Sequence, residues 1–292
     1  MASSAVERFS DKEEVDGSTP SSPTKWIKIQ ACRDSSIMSE DNPLSHLEGR
    51  ISFLAERLGR AKAVVFDVDG VLIDSERYHF NAHQKALESV DVFIDKAFYI
   101  DHGISRDPRV FYEEAFSHNN RALTNKIFDR VNNARNQIYQ DLQRVEGIIP
   151  IKQAVLLARA LHEADIPLGV SSQVGREEAL RNLDLLGIAE CFRFVVAGDD
   201  IAGFRKKPYP DLYLEVAARL GVNATDCIAI EDSSNGVNAA VTAGMICVAV
   251  PNEYTLKHNF SGALVLPSCS EILKAWETVV VSRQRFAFDW DN

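Results

Sequence analysis

The sequence predicts an α/β fold: a Rossmann-like, doubly wound parallel sheet core carrying an inserted all-helical cap domain. Three observations predict it. The short run Ala63 to Phe66, β-branched and aromatic, fits a strand buried on both faces, as strands of parallel sheets are. From Ile151 onward, runs of this kind alternate with helical patterns, the signature of βαβ units. Between the two lies Arg77 to Glu146, poor in β-branched runs, rich in helix formers and too long for a simple βα connection. At 292 residues and 46% hydrophobic, the chain is long enough for a sizeable core with a substantial insert.

Taken in order, residues 1–43 are rich in Ser, Asp, Glu and Pro, with Trp26, Ile27 and Ile29 as an apolar cluster, and read as a disordered tail. No positively charged segment precedes an apolar one there, and the acidic residues count against a transit peptide, so neither a secretory signal nor an organelle address is expected; Met38 offers an alternative start. Leu44, Leu47, Ile51, Leu54 and Leu58 recur at three- and four-residue steps, which predicts a helix ending near Gly59. Its apolar stripe either packs on its own domain or forms a dimer seam, so monomer and homodimer are both open.

The core is expected over 44–76 and 147–292, with the cap over 77–146. Cap helices are expected at about 78–90, 108–117 and 125–145, with 101–108 as a loop and turn. Gly147 and Pro150 bracket the exit, so the cap is attached at the mouth of the first strand, a placement suited to a lid. Helices follow at 151–164, 175–186 (stopped by Gly187), 210–220 (Pro210 at its first position), 236–243 and 271–280. Strands are expected at 167–171, 192–197, 227–230, 246–250 and 263–266.

Ligands of open α/β sheets sit beyond the carboxyl ends of the strands. Collecting the residues there gives Asp67 and Asp69 from the first strand, Ser171 from the second, Glu231 and Asp232 after Ile230, and Lys207 on the loop before the helix at Pro210. Gly70 lets the chain turn away behind the two aspartates. Two like charges at about 4 Å repel by roughly 4 kcal/mol at an effective dielectric of 20, so four converging carboxylates require a counter-charge. Oxygen donors with no His or Cys pattern nearby favour a hard divalent ion, Mg²⁺.

Composition removes other classes. A formal net charge of −10 argues against a nucleic-acid backbone or an anionic membrane surface as partner. Arg205-Lys206-Lys207 reads as one site lysine beside two solvated charges. No run approaches 18 apolar residues, so no membrane span is expected. The five cysteines are scattered without a CxxC pair, which predicts reduced thiols and a cytoplasmic protein acting on a small soluble substrate.

Four stretches then stand in a fixed order: Asp67-Val68-Asp69-Gly70-Val71-Leu72-Ile73-Asp74-Ser75-Glu76, Gly169-Val170-Ser171-Ser172, Lys207-Pro208-Tyr209-Pro210-Asp211, and Ile230-Glu231-Asp232-Ser233-Ser234-Asn235-Gly236 followed by Ala243-Gly244. Their order and spacing resemble the haloacid dehalogenase-like superfamily of phosphotransferases, in the members with a helical cap after the first motif. The resemblance implies that Asp67 is the nucleophile that becomes an aspartyl-phosphate and that Asp69 is general acid and then general base. It implies that Ser171 and Lys207 hold the phosphoryl oxygens, and that Mg²⁺ is bound by Asp67, the Asp69 carbonyl, Asp232 and Glu231, the last directly or through water. An acid at Asp69 points to phosphatases and phosphomutases rather than dehalogenases or ion pumps. Hydrolysis of a small phosphomonoester, such as a sugar phosphate, is the expected activity. His79 and the loop Gly103-Ile104-Ser105-Arg106 resemble β-phosphoglucomutase, where a cap arginine grips the second phosphate; against this stand a packed histidine and a solvated arginine. A non-catalytic phosphometabolite-binding protein is a third reading, disfavoured because both aspartates are present.

Overall fold

The computed structural model describes residues 43–203 and 205–288. The expected disordered tail lies outside them except for Pro43, which opens the first helix.

Among the described residues six strands form one parallel sheet: β1 (Ala63–Phe66), β2 (Leu168–Ser171), β3 (Phe194–Val196), β4 (Cys227–Glu231), β5 (Ile246–Ala249) and β6 (Leu264–Val265). Their order is β3-β2-β1-β4-β5-β6. Phe66 pairs with Val170 on one side and Ile230 on the other, which brings the ends of β1, β2 and β4 level. The connections run outward from β1 to β3 and then return to β4, so the order reverses beside β1. Such a reversal leaves a crevice at the carboxyl edge.

Strand side chains alternate between two apolar layers. Val64 and Phe66 join the layer under α1 (Pro43–Arg60), α6 (Lys152–Glu163), α7 (Arg176–Leu186) and α10 (Cys269–Phe288). Ala63 and Val65 join the layer under α8 (Asp211–Leu220) and α9 (Ser234–Thr242). Leu54 and Leu58 of the α1 stripe are buried in the first layer, where α1 packs along α10, so these two leucines close the chain's own core.

Between β1 and α6 the chain forms α2 (Glu76–Glu88), α3 (Lys96–His102), α4 (Pro108–His118) and α5 (Asn125–Glu146). They share a third apolar cluster that includes Leu87, Tyr99, Phe111, Tyr112, Phe116 and Val131. Helix α3 is not expected from the sequence: it takes in Asp101 and His102 at the start of the expected loop, while 103–107 are turn and loop as expected. The helix is short, and it is started by the Asp95 carboxylate, which accepts from the Phe98 amide at 2.7 Å. Element ends differ elsewhere by a few residues, most notably at α8 and α10. Pro210 stands at the cap of α8 rather than at its first helical position, and α10 runs to Phe288.

Candidate active site

Asp67 follows β1 directly, and its amide donates to the Ile230 carbonyl of β4 at 3.0 Å. The chain then coils back on itself, with the Val68 carbonyl accepting from Leu72 (2.9 Å) and Ile73 (3.1 Å). Gly70 makes this turn with φ +78°, and a Cβ there would stand 2.1 Å from Asp232 Oδ2. Only glycine allows both the conformation and the approach of the turn to β4. Asp74 N to Ile149 O (2.8 Å) and Ile151 N to Leu72 O (2.9 Å) tie the entry of the helical insert to its exit.

Glu231 ends β4 fully buried, with its carboxylate folded under the start of α9, where a Cβ on Gly236 would lie 2.0 Å from it. Lys207, 6% exposed, reaches in from the segment between β3 and α8. Its Nζ lies 2.6 Å from Asp67 Oδ1 and 2.7 Å from Glu231 Oε1, and it donates to the Ser171 carbonyl at 3.2 Å. The Tyr213 hydroxyl also donates to Glu231 Oε1. Asn252 Nδ2 donates to Asp232 Oδ2 at 2.8 Å.

Asp67, Glu231 and Asp232 each offer a carboxylate oxygen, all within 4.8 Å of one another. One lysine faces three carboxylates. Burial, reinforced by Glu231 and Asp69, pushes the Asp67 carboxyl up to about 8 against the pull of Lys207. Burial, with Glu231 and Asp67, likewise drives Asp232 well above the usual range. For Lys207 burial favours the neutral amine, but Asp67 and Glu231 outweigh it and its pKa is raised, so it stays protonated. Two negative charges are therefore uncompensated when all three acids ionise. An all-oxygen donor set with that excess fits a hard divalent cation.

Asp69 Oδ1 and Ser171 Oγ are buried and have no hydrogen-bond partner among the described residues. Such groups cost about 1–3 kcal/mol if left unsatisfied, so their placement suits atoms that a ligand brings. Burial pushes the Asp69 carboxyl up, against Ser75, Lys207 and Arg135.

Asp67, Asp69, Lys207 and Asp232 border a cavity of about 210 Å³, closed from the insert by Glu76, His79, Arg106 and Arg135. Glu231 and Ser171 lie beneath it and do not line it. His79 is stacked on Tyr139 (centroids 4.4 Å apart, 7° between planes) and touches the Arg135 guanidinium. Burial and that guanidinium lower its pKa well below the usual value, so the ring is neutral. Arg106 borders the cavity, with its guanidinium 3.5 Å from Glu114 Oε1.

Five residues of this arrangement escaped sequence reasoning: Arg135, Tyr99, Tyr213, Asn252 and Tyr139. Arg135 and Tyr139 stand four apart on α5, one face of a helix, which is a detectable spacing but a common one. Tyr99 comes from the unforeseen α3, and its hydroxyl donates to Glu76 Oε2 at 3.0 Å.

The model of the haloacid dehalogenase-like hydrolases matches residues 64–250. The chain belongs to this family. Among relatives, it is 34% identical over 229 residues to the plasmid-borne protein CbbY of Cupriavidus necator, covering 70% of this chain and 85% of that one. It is 33% identical over 193 residues to the β-phosphoglucomutase of Bacillus subtilis, covering 65% and 83%. A mutant of CbbY from Rhodobacter sphaeroides, solved with xylulose-(1,5)bisphosphate, superposes with TM-score 0.61 at 27% identity, over 74% of this chain and 99% of that one. No helix among the described residues is long and apolar enough to cross a membrane.

Proposed function

We propose that the protein is a Mg²⁺-dependent phosphatase that hydrolyses a small phosphomonoester, of the sugar-phosphate class, through an aspartyl-phosphate on Asp67. The observation that carries this is the pairing of Asp67, held beside Lys207, with Asp69, whose buried Oδ1 has no partner among the described residues, on one wall of one small cavity. Asp67, Glu231 and Asp232, with the Asp69 carbonyl, would hold the cation, and its positive charge would let Asp67 ionise and would offset charge on the phosphoryl group.

In the first half-reaction an Asp67 carboxylate oxygen attacks phosphorus and the bond from phosphorus to the ester oxygen breaks. Asp69, whose carboxyl burial pushes toward its protonated form, gives a proton to that oxygen, and the alcohol leaves. In the second, a water attacks the phosphorus of the aspartyl-phosphate, the bond from phosphorus to the Asp67 oxygen breaks, and the water passes a proton to the Asp69 carboxylate. Orthophosphate leaves and both aspartates are restored. Lys207 at the cavity steadies the phosphoryl oxygens, and the unpartnered Ser171 hydroxyl would be the second donor if a phosphoryl oxygen reaches below the residues that line the cavity. The insert α2–α5 acts as the cap that excludes water and selects the substrate. The four cysteines among the described residues are buried and free, which suits the reducing cytoplasm.

Phosphomutase chemistry is the second reading, with a sugar-phosphate hydroxyl in place of water. Arg106 and Arg135 at the cavity favour it, because both are placed to meet a second phosphate, and so do the relatives that act on or bind such sugars. A panel of phosphorylated metabolites with Mg²⁺ separates the two. Free phosphate should appear from the preferred member. Conversion of β-glucose 1-phosphate in the presence of glucose 1,6-bisphosphate, without phosphate release, would instead establish the mutase.

A further inference from the structure

After β5 the chain makes a compact turn over residues 251–258 that grips the site and the insert at once. On the site side, Asn252 donates to Asp232 Oδ2 at 2.8 Å, and His258 Nδ1 accepts from the Ser234 amide at 3.2 Å. The turn therefore holds the Asp232–Ser234 corner at two points. On the insert side, Tyr254 is 4% exposed and belongs to the apolar cluster of the helical insert. Its ring stands edge-on to Tyr99 (6.4 Å, 82°), whose hydroxyl holds Glu76 in the cavity, and Lys96 covers it at 4.4 Å. Lys96–Glu253 (2.7 Å) and Lys257–Asp101 (3.0 Å) flank it. These ion pairs are exposed and contribute little by themselves, so the buried ring is the main anchor.

The turn is also internally stiff. Asn252 N donates to Thr255 Oγ1 (3.0 Å), Tyr254 N to Asn252 Oδ1 (2.9 Å), and Thr255 N to Asn252 O (3.0 Å). Asn252 thus uses its carbonyl oxygen to fix the Tyr254 backbone and its amide nitrogen to fix Asp232. A shift of Tyr254 out of the insert cluster is transmitted to the Asp232 carboxylate through one side chain.

We propose that Asn252 and Tyr254 are positioning residues that couple seating of the helical insert to placement of the Asp232 carboxylate, making insert docking and cation binding one equilibrium. This rests on the reading of Asp232 as a cation ligand. By linkage, a cation that prefers the docked state must lower the equilibrium constant for opening of the insert by the factor that docking adds to its affinity.

The test uses the full chain and Mn²⁺ alone as probe, read by electron paramagnetic resonance, with amide hydrogen exchange of α3 and α4 measured in parallel. In the wild type, saturating Mn²⁺ should slow that exchange roughly fivefold or more. Tyr254→Ala, which touches no ligand, should speed exchange and weaken Mn²⁺ binding by a similar factor. Asn252→Ala should weaken binding about tenfold and abolish the effect of Mn²⁺ on the insert. Exchange unchanged by Mn²⁺ in the wild type overturns the coupling, and this arm needs no variant to fold. Faster exchange in Tyr254→Ala with unaltered Mn²⁺ affinity also overturns it. Asp232→Asn separates the two levels: if it binds Mn²⁺ as the wild type does, the ligand reading itself fails, whereas lost binding there, together with wild-type exchange that Mn²⁺ does not slow, refutes the coupling alone.

Discussion

Lys207 Nζ lies 2.6 Å from Asp67 Oδ1, with both groups buried and 140 residues apart in the chain. The same ammonium reaches Glu231, so one charge from the β3–α8 segment holds together acids from β1 and β4. Replacing it should be felt in both fold and activity. Lys207→Met is expected to destabilise the protein by about 3 kcal/mol, the scale of breaking a buried pair, and to lower turnover at least about a hundredfold. Denaturant melts and phosphate release measure the two effects.

Glu231 cannot move away from an added methyl group at Gly236, because Lys207 and Tyr213 hold its carboxylate on the other side. Gly236→Ala should therefore cost about 1–3 kcal/mol of stability, as overpacking does, although alanine is the better helix former. Thermal melts showing a gain in stability would contradict the packing described.

Glu76 is the cavity carboxylate whose titration is easiest to follow. Burial pushes it up to about 7, against the Tyr99 hydroxyl that donates to it. The fold thus favours its neutral form. That contribution is fully present below the unfolded pKa near 4.5 and is lost as pH rises through about 7. Melting temperatures of the metal-free protein should fall across this window, and Glu76→Gln should flatten the fall.

The two cavity arginines set the expectation for specificity. Arg106→Ala or Arg135→Met should raise KM for a sugar bisphosphate about tenfold or more, the scale of a lost charge-assisted hydrogen bond, and change KM for the matching monophosphate little. Steady-state kinetics on such a pair of substrates measures the difference.

Much of this was legible in the sequence for a physical reason. The parallel sheet, the insertion point and the acids at the strand ends are written locally: an apolar run, then an acid, then a glycine. Asp67, Asp69, Lys207 and Asp232 meet at the cavity because level strand ends deliver whatever follows them to one edge. Arg135, Tyr99, Tyr213 and Asn252 were not legible. Each arrives from a helix face or turn whose local sequence serves its own element, and only tertiary packing points it at the site. Arg106 lies between these cases: its loop was found, but its guanidinium pairs with Glu114, which no spacing along the chain announces.

The proposed mechanism requires Asp67 to carry the phosphoryl group in turnover. The most direct measurement is acid quenching of the enzyme during hydrolysis of its best substrate with Mg²⁺, followed by peptide mass spectrometry. A hydroxylamine-sensitive phosphoryl adduct is expected on Asp67, with neither adduct nor turnover in Asp67→Asn. An adduct on another residue, or near-normal turnover by Asp67→Asn, would contradict it.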